Sequence, residues 1–277
     1  MKADCHMHMI LDGKYWRDSI MRHAEKPDIS YIRGILEQYR LRDYTYLRDC
    51  GDRWGAGAAA RALAPEYGIT YRTPLAPLCS AGHYGGFIGL QYRDLKEYAQ
   101  LVIQQKNAGA DFIKIMISGL MDFNQCGLLT EPGLDPSLIA ELIHIAHEEG
   151  MAVSAPANGA RTVETAARAG IDSVEHGAYL DEDALAAMEE AGTVWVPTVS
   201  TIGNLLGTGR YPDREVSQIL DSALENLSRY KGLIASGTDA GAWAVPHGSE
   251  TELPLLARAG IDDARLSVGT AVIMQKF

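Results

Sequence analysis

Cysteine is scarce: Cys5, Cys50, Cys79 and Cys126 are the only four in 277 residues, and no C-x-x-C pair joins any two. That excludes a disulfide framework and a zinc-finger spacing, and makes reduced thiols in a cytoplasmic protein the simplest expectation. No apolar run approaches the ~20 residues of a bilayer span, and Met1–Ile10 has no secretory apolar core. Basic residues are in deficit, 25 Lys and Arg against 36 Asp and Glu, for a net charge of −11. Without a basic stripe to neutralise phosphates, nucleic acid and anionic membrane surfaces are excluded as partners. No G-x-G-x-x-G turn follows the first apolar run, which removes the usual signature of an open dinucleotide-binding sheet. No linker, low-complexity segment or charge run interrupts the chain, so residues 1–277 read as one domain.

What is present is an alternation. Short apolar or β-rich runs (2–8, 44–50, 69–78, 112–117, 151–155, 172–175, 193–198 and 233–236) are separated by stretches with helical periodicity. Asp135-Pro136 supplies a cap followed by a first-turn proline, and Gly150 stops the helix that follows. "EEGMAV", "RAGIDS" and "EAGTVW" each read as a helix ending at glycine with a strand behind it. About eight strand–helix pairs in one chain predict an α/β fold, a single (β/α)8 TIM barrel. The glycine-rich stretch Cys79–Arg93 is the longest without clear structure and reads as a loop that walls or covers a site.

Chemistry concentrates at the predicted strand ends. In Asp4-Cys5-His6-Met7-His8, residues two apart share a face, so His6 and His8 project together at the end of the first strand. Two imidazoles on one face make half of a transition-metal site. Lys114 lies in an apolar strand, "GADFIKIMISG", where a free ammonium is costly. His176 in "SVEHG" and Asp239 in "SGTDAG" end the sixth and eighth strands. In a barrel these ends form the active-site mouth.

These motifs, with "TYLRDCGD" and "AGIDSVEHG", resemble the amidohydrolase superfamily, in particular its imidazolonepropionase-like and Xaa-Pro-dipeptidase-like branch, over nearly the whole chain. The resemblance implies a metal-dependent hydrolase of C–N bonds in a small molecule, such as an amide, dipeptide or cyclic amide. It implies His6, His8, Lys114, His176 and Asp239 as ligands of one or two divalent metals, zinc first. Lys114 would carry a CO2-derived carbamate. Metal-activated water would attack a carbonyl, Asp239 would move the proton, and His176 would bind metal or polarise the carbonyl.

Two departures stand out. Where the family ends its fifth strand in histidine, this chain has Pro156, which cannot ligate; one tightly held metal and a weak or absent second are expected. Asn158, two residues on, is a weak substitute. The flanking β-sandwich of this branch also finds no counterpart, so a bare barrel is expected, with surface available for a homo-oligomer. Pro156 keeps open a catalytically impaired binding protein on this fold; a lactonase, deaminase or decarboxylase could use the same constellation.

His83 and Tyr84 in the glycine-rich loop are candidate substrate-binding residues. Four loops, 11–26, 79–93, 119–132 and 201–212, are expected to set specificity. Arg48 and Asp49 read as an internal ion pair, Glu175 as a structural contact, and Cys5 and Cys50 as buried thiols.

Overall fold

The computed structural model describes residues 2–277. Nine strands form, β1 (Lys2–Met7), β2 (Tyr44–Asp49), β3 (Thr70–Arg72), β4 (Leu78–Ser80), β5 (Leu90–Tyr92), β6 (Ile113–Met116), β7 (Val153–Ala157), β8 (Ser173–His176) and β9 (Val194–Val196). The helices are α1 (Trp16–Arg22), α2 (Ile29–Arg40), α3 (Ala56–Leu63), α4 (Leu95–Asn107), α5 (Pro136–Glu148), α6 (Ala160–Arg168), α7 (Glu182–Ala191), α8 (Ser200–Gly203), α9 (Asp213–Arg229), α10 (Glu252–Arg258) and α11 (Asp263–Lys276). This is an α/β fold in which every strand pairing is parallel, in the orders β1-β2-β3 and β5-β4-β6-β7-β8-β9.

Local chemistry explains the helices. Asp94, Asp135, Asp181 and Asp262 each accept a first-turn backbone N–H with the side-chain oxygen, satisfying a donor the helix leaves unpaired. Gly150, Gly170 and Gly192 follow α5, α6 and α7 with φ of 71°, 85° and 67°, the left-handed stop that glycine adopts without penalty. Their apolar faces pack on the strands in one large cluster around Ile115, Val153, Val174 and Trp195.

Hydrogen bonds join the two sheets at two places. Segment 233–240 is held between β9 and β1: Trp195 N–H donates to Leu233 O, Ala235 N–H to Trp195 O, Cys5 N–H to Ser236 O and Asp239 N–H to His6 O. At the second place Asp111, just before β6, donates its N–H to Thr73 O beyond β3. The run predicted at 233–236 thus makes a single bridge, Ile234 with Trp195, rather than an extended ladder, and Ala240 beyond it bridges to Met7. The run predicted over 69–78 divides into β3 and β4, because the chain turns at Pro74-Leu75, where Leu75 takes φ 62°. The stretch expected to be a structureless loop after Cys79 contains β5. None of the helices is long and apolar enough to cross a membrane.

Beneath the site, Ile273 of α11 and Phe277 just past its end join a cluster with Cys5, Tyr46, Phe112, Val194 and Val196. The Arg48 guanidinium lies 4.6 Å from the Phe277 ring centroid. Arg48 therefore stands between an apolar floor and the polar groups above it.

Candidate metal centre

Strand alternation sets which side chains converge. Ser154 and Pro156 share one face of β7, and Lys114 lies opposite Ser154 in the β6–β7 register. Glu175 lies opposite Pro156 in the β7–β8 register. His6 and His8 face the same centre from the end of β1, their ring centroids 5.5 Å apart. His176, last in β8, has φ 66°, and its ring centroid comes within 5.1 Å of His6. Asp239 has φ 56° and hangs from β1 through its N–H bond to His6 O. Two non-glycine residues held in the left-handed region beside one cluster are strained positions of the kind that recur at functional sites. Gly237 permits the approach, since a Cβ there would lie 2.7 Å from His6 Cβ and 2.5 Å from Val196 Cγ1.

Asp239 Oδ1 lies 3.3 Å from Nε2 of both His6 and His8. Yet His6 Nε2, His8 Nδ1 and Asp239 Oδ1 are buried without a hydrogen-bond partner. Orphaned buried polar atoms are costly, and a cation between His6 and Asp239 would satisfy two of them. His6, His176 and Asp239 present ligand atoms within 4.8 Å of one another, and so do His6, His8 and Cys50. These residues fit a divalent metal.

The electrostatics agree. Burial lowers His8 to about 4 and His176 to about 3, so both rings are neutral near pH 7 and carry a lone pair. Burial alone would raise Asp239, but the adjoining His6 and His8 hold it well below the usual carboxylate range. Burial opposes charge on His6, yet Cys50 and Asp239 pull it well above the ordinary histidine value. His8 and His176 are thus left as neutral donors beside the ionised Asp239.

The supporting residues are more numerous than the sequence suggested. His6 Nδ1 stands 2.6 Å from Glu175 Oε2. Glu175 Oε1 also accepts from Arg48 at 2.8 Å, Ser154 Oγ at 2.8 Å and Ser173 Oγ at 2.6 Å. The ion pair of Arg48 is thus with Glu175. Asp49, expected to be its partner, instead accepts from Met9 N, Gly51 N and Thr73 Oγ1. His176 Nδ1 is 2.6 Å from Thr198 Oγ1. Asn158 is engaged in the fold: its Oδ1 accepts from Ala178 N–H and its Nδ2 donates to Gly119 O, both at 3.0 Å. Lys114 is 2% exposed, and its charge disfavours protonation of His6, His8 and His176.

A cavity of about 650 Å³ opens above His8 and Asp239. Aromatic walls come from Tyr15, Trp16, Tyr84, Phe87 and Trp243, and positive charge from Lys14, Arg17 and Arg210. Each of the four loops predicted to set specificity contributes to this lining. Tyr84 is part of the wall; His83 turns away, its Nδ1 3.5 Å from Glu131. The Arg210 guanidinium lies 4.1 Å from the Trp243 ring centroid. Sequence reasoning missed Arg210 and the Glu175 and Thr198 partners; strand alternation placing Glu175 on the face of Ser173 was a usable signal for one of them.

No family model matches the chain. Among curated proteins, it is 27% identical to ochratoxinase of Aspergillus niger, over 96% of this chain and 64% of that protein. It is 28% identical to an uncharacterized protein of Mycobacterium tuberculosis, over 94% of this chain and 68% of that protein. The chain thus spans just under two thirds of the ochratoxinase length. Among solved structures, a Xaa-Pro dipeptidase with bound methionine in the active site superposes with a TM-score of 0.77 at 21% identity, covering 99% of this chain and 74% of the other. The Aspergillus niger ochratoxinase structure gives 0.74 at 23% identity, covering 98% and 68%. At these identities the structural likeness is one of fold.

Proposed function

For a chain whose neighbours are Xaa-Pro dipeptidases, ochratoxinase and other amidohydrolases, in keeping with the Xaa-Pro dipeptidase-like branch of the amidohydrolase superfamily, we propose a metal-dependent hydrolase that cleaves an amide C–N bond in a small molecule. We read the parallel sheets and the bonded segment 233–240 as a (β/α)8 barrel with its mouth at His8 and Asp239. The observation that carries the proposal is the set of buried, unpartnered atoms His6 Nε2, His8 Nδ1 and Asp239 Oδ1, of which the last two belong to residues lining the cavity.

His6, His8, His176 and Asp239 would hold the metal, zinc first, and Lys114 as a carbamate would add an anionic oxygen where an ammonium now opposes a cation. The bound metal supplies an activated water nucleophile and Lewis-acid polarisation of the carbonyl at neutral pH. Asp239, ionised and at the cavity floor, accepts a proton from the water and delivers it to the departing nitrogen. His176 is held by Thr198 in either of two ways. If Nδ1–H donates to Oγ1, the Nε2 lone pair is a ligand; if Oγ1–H donates to Nδ1, an Nε2–H is left to polarise the carbonyl oxygen. The walls favour a substrate with an aromatic or apolar acyl part and a carboxylate, held by stacking on Trp16 or Trp243 and by Arg210.

Pro156 favours a second reading, a barrel that binds such a ligand without turning it over. Assay of N-acyl amino acids and dipeptides before chelation, after it, and after return of zinc separates the two. The hydrolase reading requires loss and recovery of turnover. Turnover untouched by chelation contradicts the metal, and no turnover at any metal loading favours the binding protein.

A further inference from the structure

We propose that Cys50 is a thiolate ligand of this same metal centre; the inference rests on the metal-dependent reading above. Alternation along β2 sends Tyr46, Arg48 and Cys50 to one face. Cys50 sits just past the strand end, fixed there by its N–H bond to Met7 O at 2.8 Å. Its Sγ lies within 4.8 Å of a ring nitrogen on both His6 and His8. The residue is 3% exposed. Cys5 and Cys79 pack into apolar clusters, as buried thiols ordinarily do, whereas Cys50 joins none of the clusters among the described residues. What it meets instead is an imidazole, fully buried, whose Nε2 has no partner.

A tetrahedral zinc takes sulfur at about 2.3 Å and imidazole nitrogen at about 2.0–2.1 Å. That geometry sets sulfur and nitrogen roughly 3.6 Å apart, so Cys50 needs only side-chain adjustment to ligate. On binding, the thiol proton leaves to solvent and a sulfur lone pair forms the bond, with no change of oxidation state. The centre then recovers from β2 a donor that Pro156 denies it on β7. As a thiolate beside His6 and His8, Cys50 offsets one charge of a dication, and sulfur selects zinc or cobalt over manganese or magnesium.

Cobalt(II) loading tests this by absorption rather than by turnover. The expected result is one bound equivalent with a sulfur-to-cobalt charge-transfer band in the near ultraviolet. The band should vanish in Cys50→Ser while the visible cobalt bands persist, and should survive in Cys79→Ser. Cobalt bound without that band, or a band that survives Cys50→Ser, overturns the ligand assignment and leaves the metal reading standing. Failure to bind cobalt overturns both. Should Cys50→Ser not fold, zinc-edge X-ray absorption of the unaltered protein decides: one sulfur scatterer at about 2.3 Å supports the assignment, and nitrogen and oxygen alone contradict it.

Discussion

His6 Nδ1 and Glu175 Oε2 lie 2.6 Å apart, both side chains fully buried, brought together from 169 residues apart in the chain. With Nδ1–H donated to the carboxylate, Nε2 is the nitrogen left to face the centre, and the ring cannot rotate away. Glu175 is itself held by Arg48, which rests on Phe277. The proposed ligand His6 is thus braced, through Glu175 and Arg48, down to the C-terminal Phe277.

Glu175→Gln should therefore weaken metal binding by about 10–100-fold, the usual cost of losing such a partner. It should also destabilise the fold by about 3–5 kcal/mol, because Arg48 keeps a buried charge without its carboxylate. Chelator competition and urea unfolding measure the two effects. Unchanged metal affinity would remove Glu175 from the account.

Asp239→Asn keeps the shape of the side chain but not its basicity. Turnover should fall by about 10²–10⁴-fold, the range for a lost general acid–base, with KM little altered. Steady-state kinetics on metal-replete protein would reveal it; a variant as fast as the parent would give the proton transfer to another group.

Arg210→Ala should raise KM for substrates bearing a carboxylate by about 10–100-fold, the equivalent of one charged hydrogen bond. The neutral amide of the same acyl group should be almost unaffected. Equal losses for both would mean that Arg210 shapes the wall through Trp243 and does not recognise charge.

Burial raises Glu252 from 4.5 to about 8, although its carboxylate accepts the N–H groups of Val199 and Ser200. Below pH 4.5 the group is protonated in folded and unfolded chains alike. Between there and pH 8 only the unfolded chain has lost the proton, so this contribution to stability falls as pH rises, then levels off. The slope is about 1.4 kcal/mol per pH unit. Urea unfolding of Glu252→Gln between pH 6 and 8 should lose that slope; an identical pH dependence in parent and variant would contradict the protonated state.

The readable part of this molecule was its local chemistry. Asp135-Pro136, the helix-ending glycines and His6-x-His8 each announce themselves within a few residues, because capping and strand alternation act over that range. Ligand candidates at successive strand ends followed from the same alternation. The break at Leu75 and the short β5 were hidden, since nothing nearby separates them from a loop. Glu175 and Cys50 were read as bland because their partners lie far along the chain, and only the register of β1, β2 and β8 brings them to His6. Asn158 was read as a weak substitute ligand, whereas its amide bonds Gly119 and Ala178, partners that tertiary structure alone supplies.

The central claim is that a divalent metal on His6, His8 and Asp239 drives hydrolysis. Its most direct test is elemental analysis of protein purified without added metal or chelator, paired with the hydrolysis rate of the same samples as metal is withdrawn and restored. The account predicts close to one equivalent of zinc or a similar metal per chain, and a rate that rises in proportion to occupancy. Full hydrolysis at negligible metal content, or a fully loaded protein that hydrolyses no amide, would contradict it.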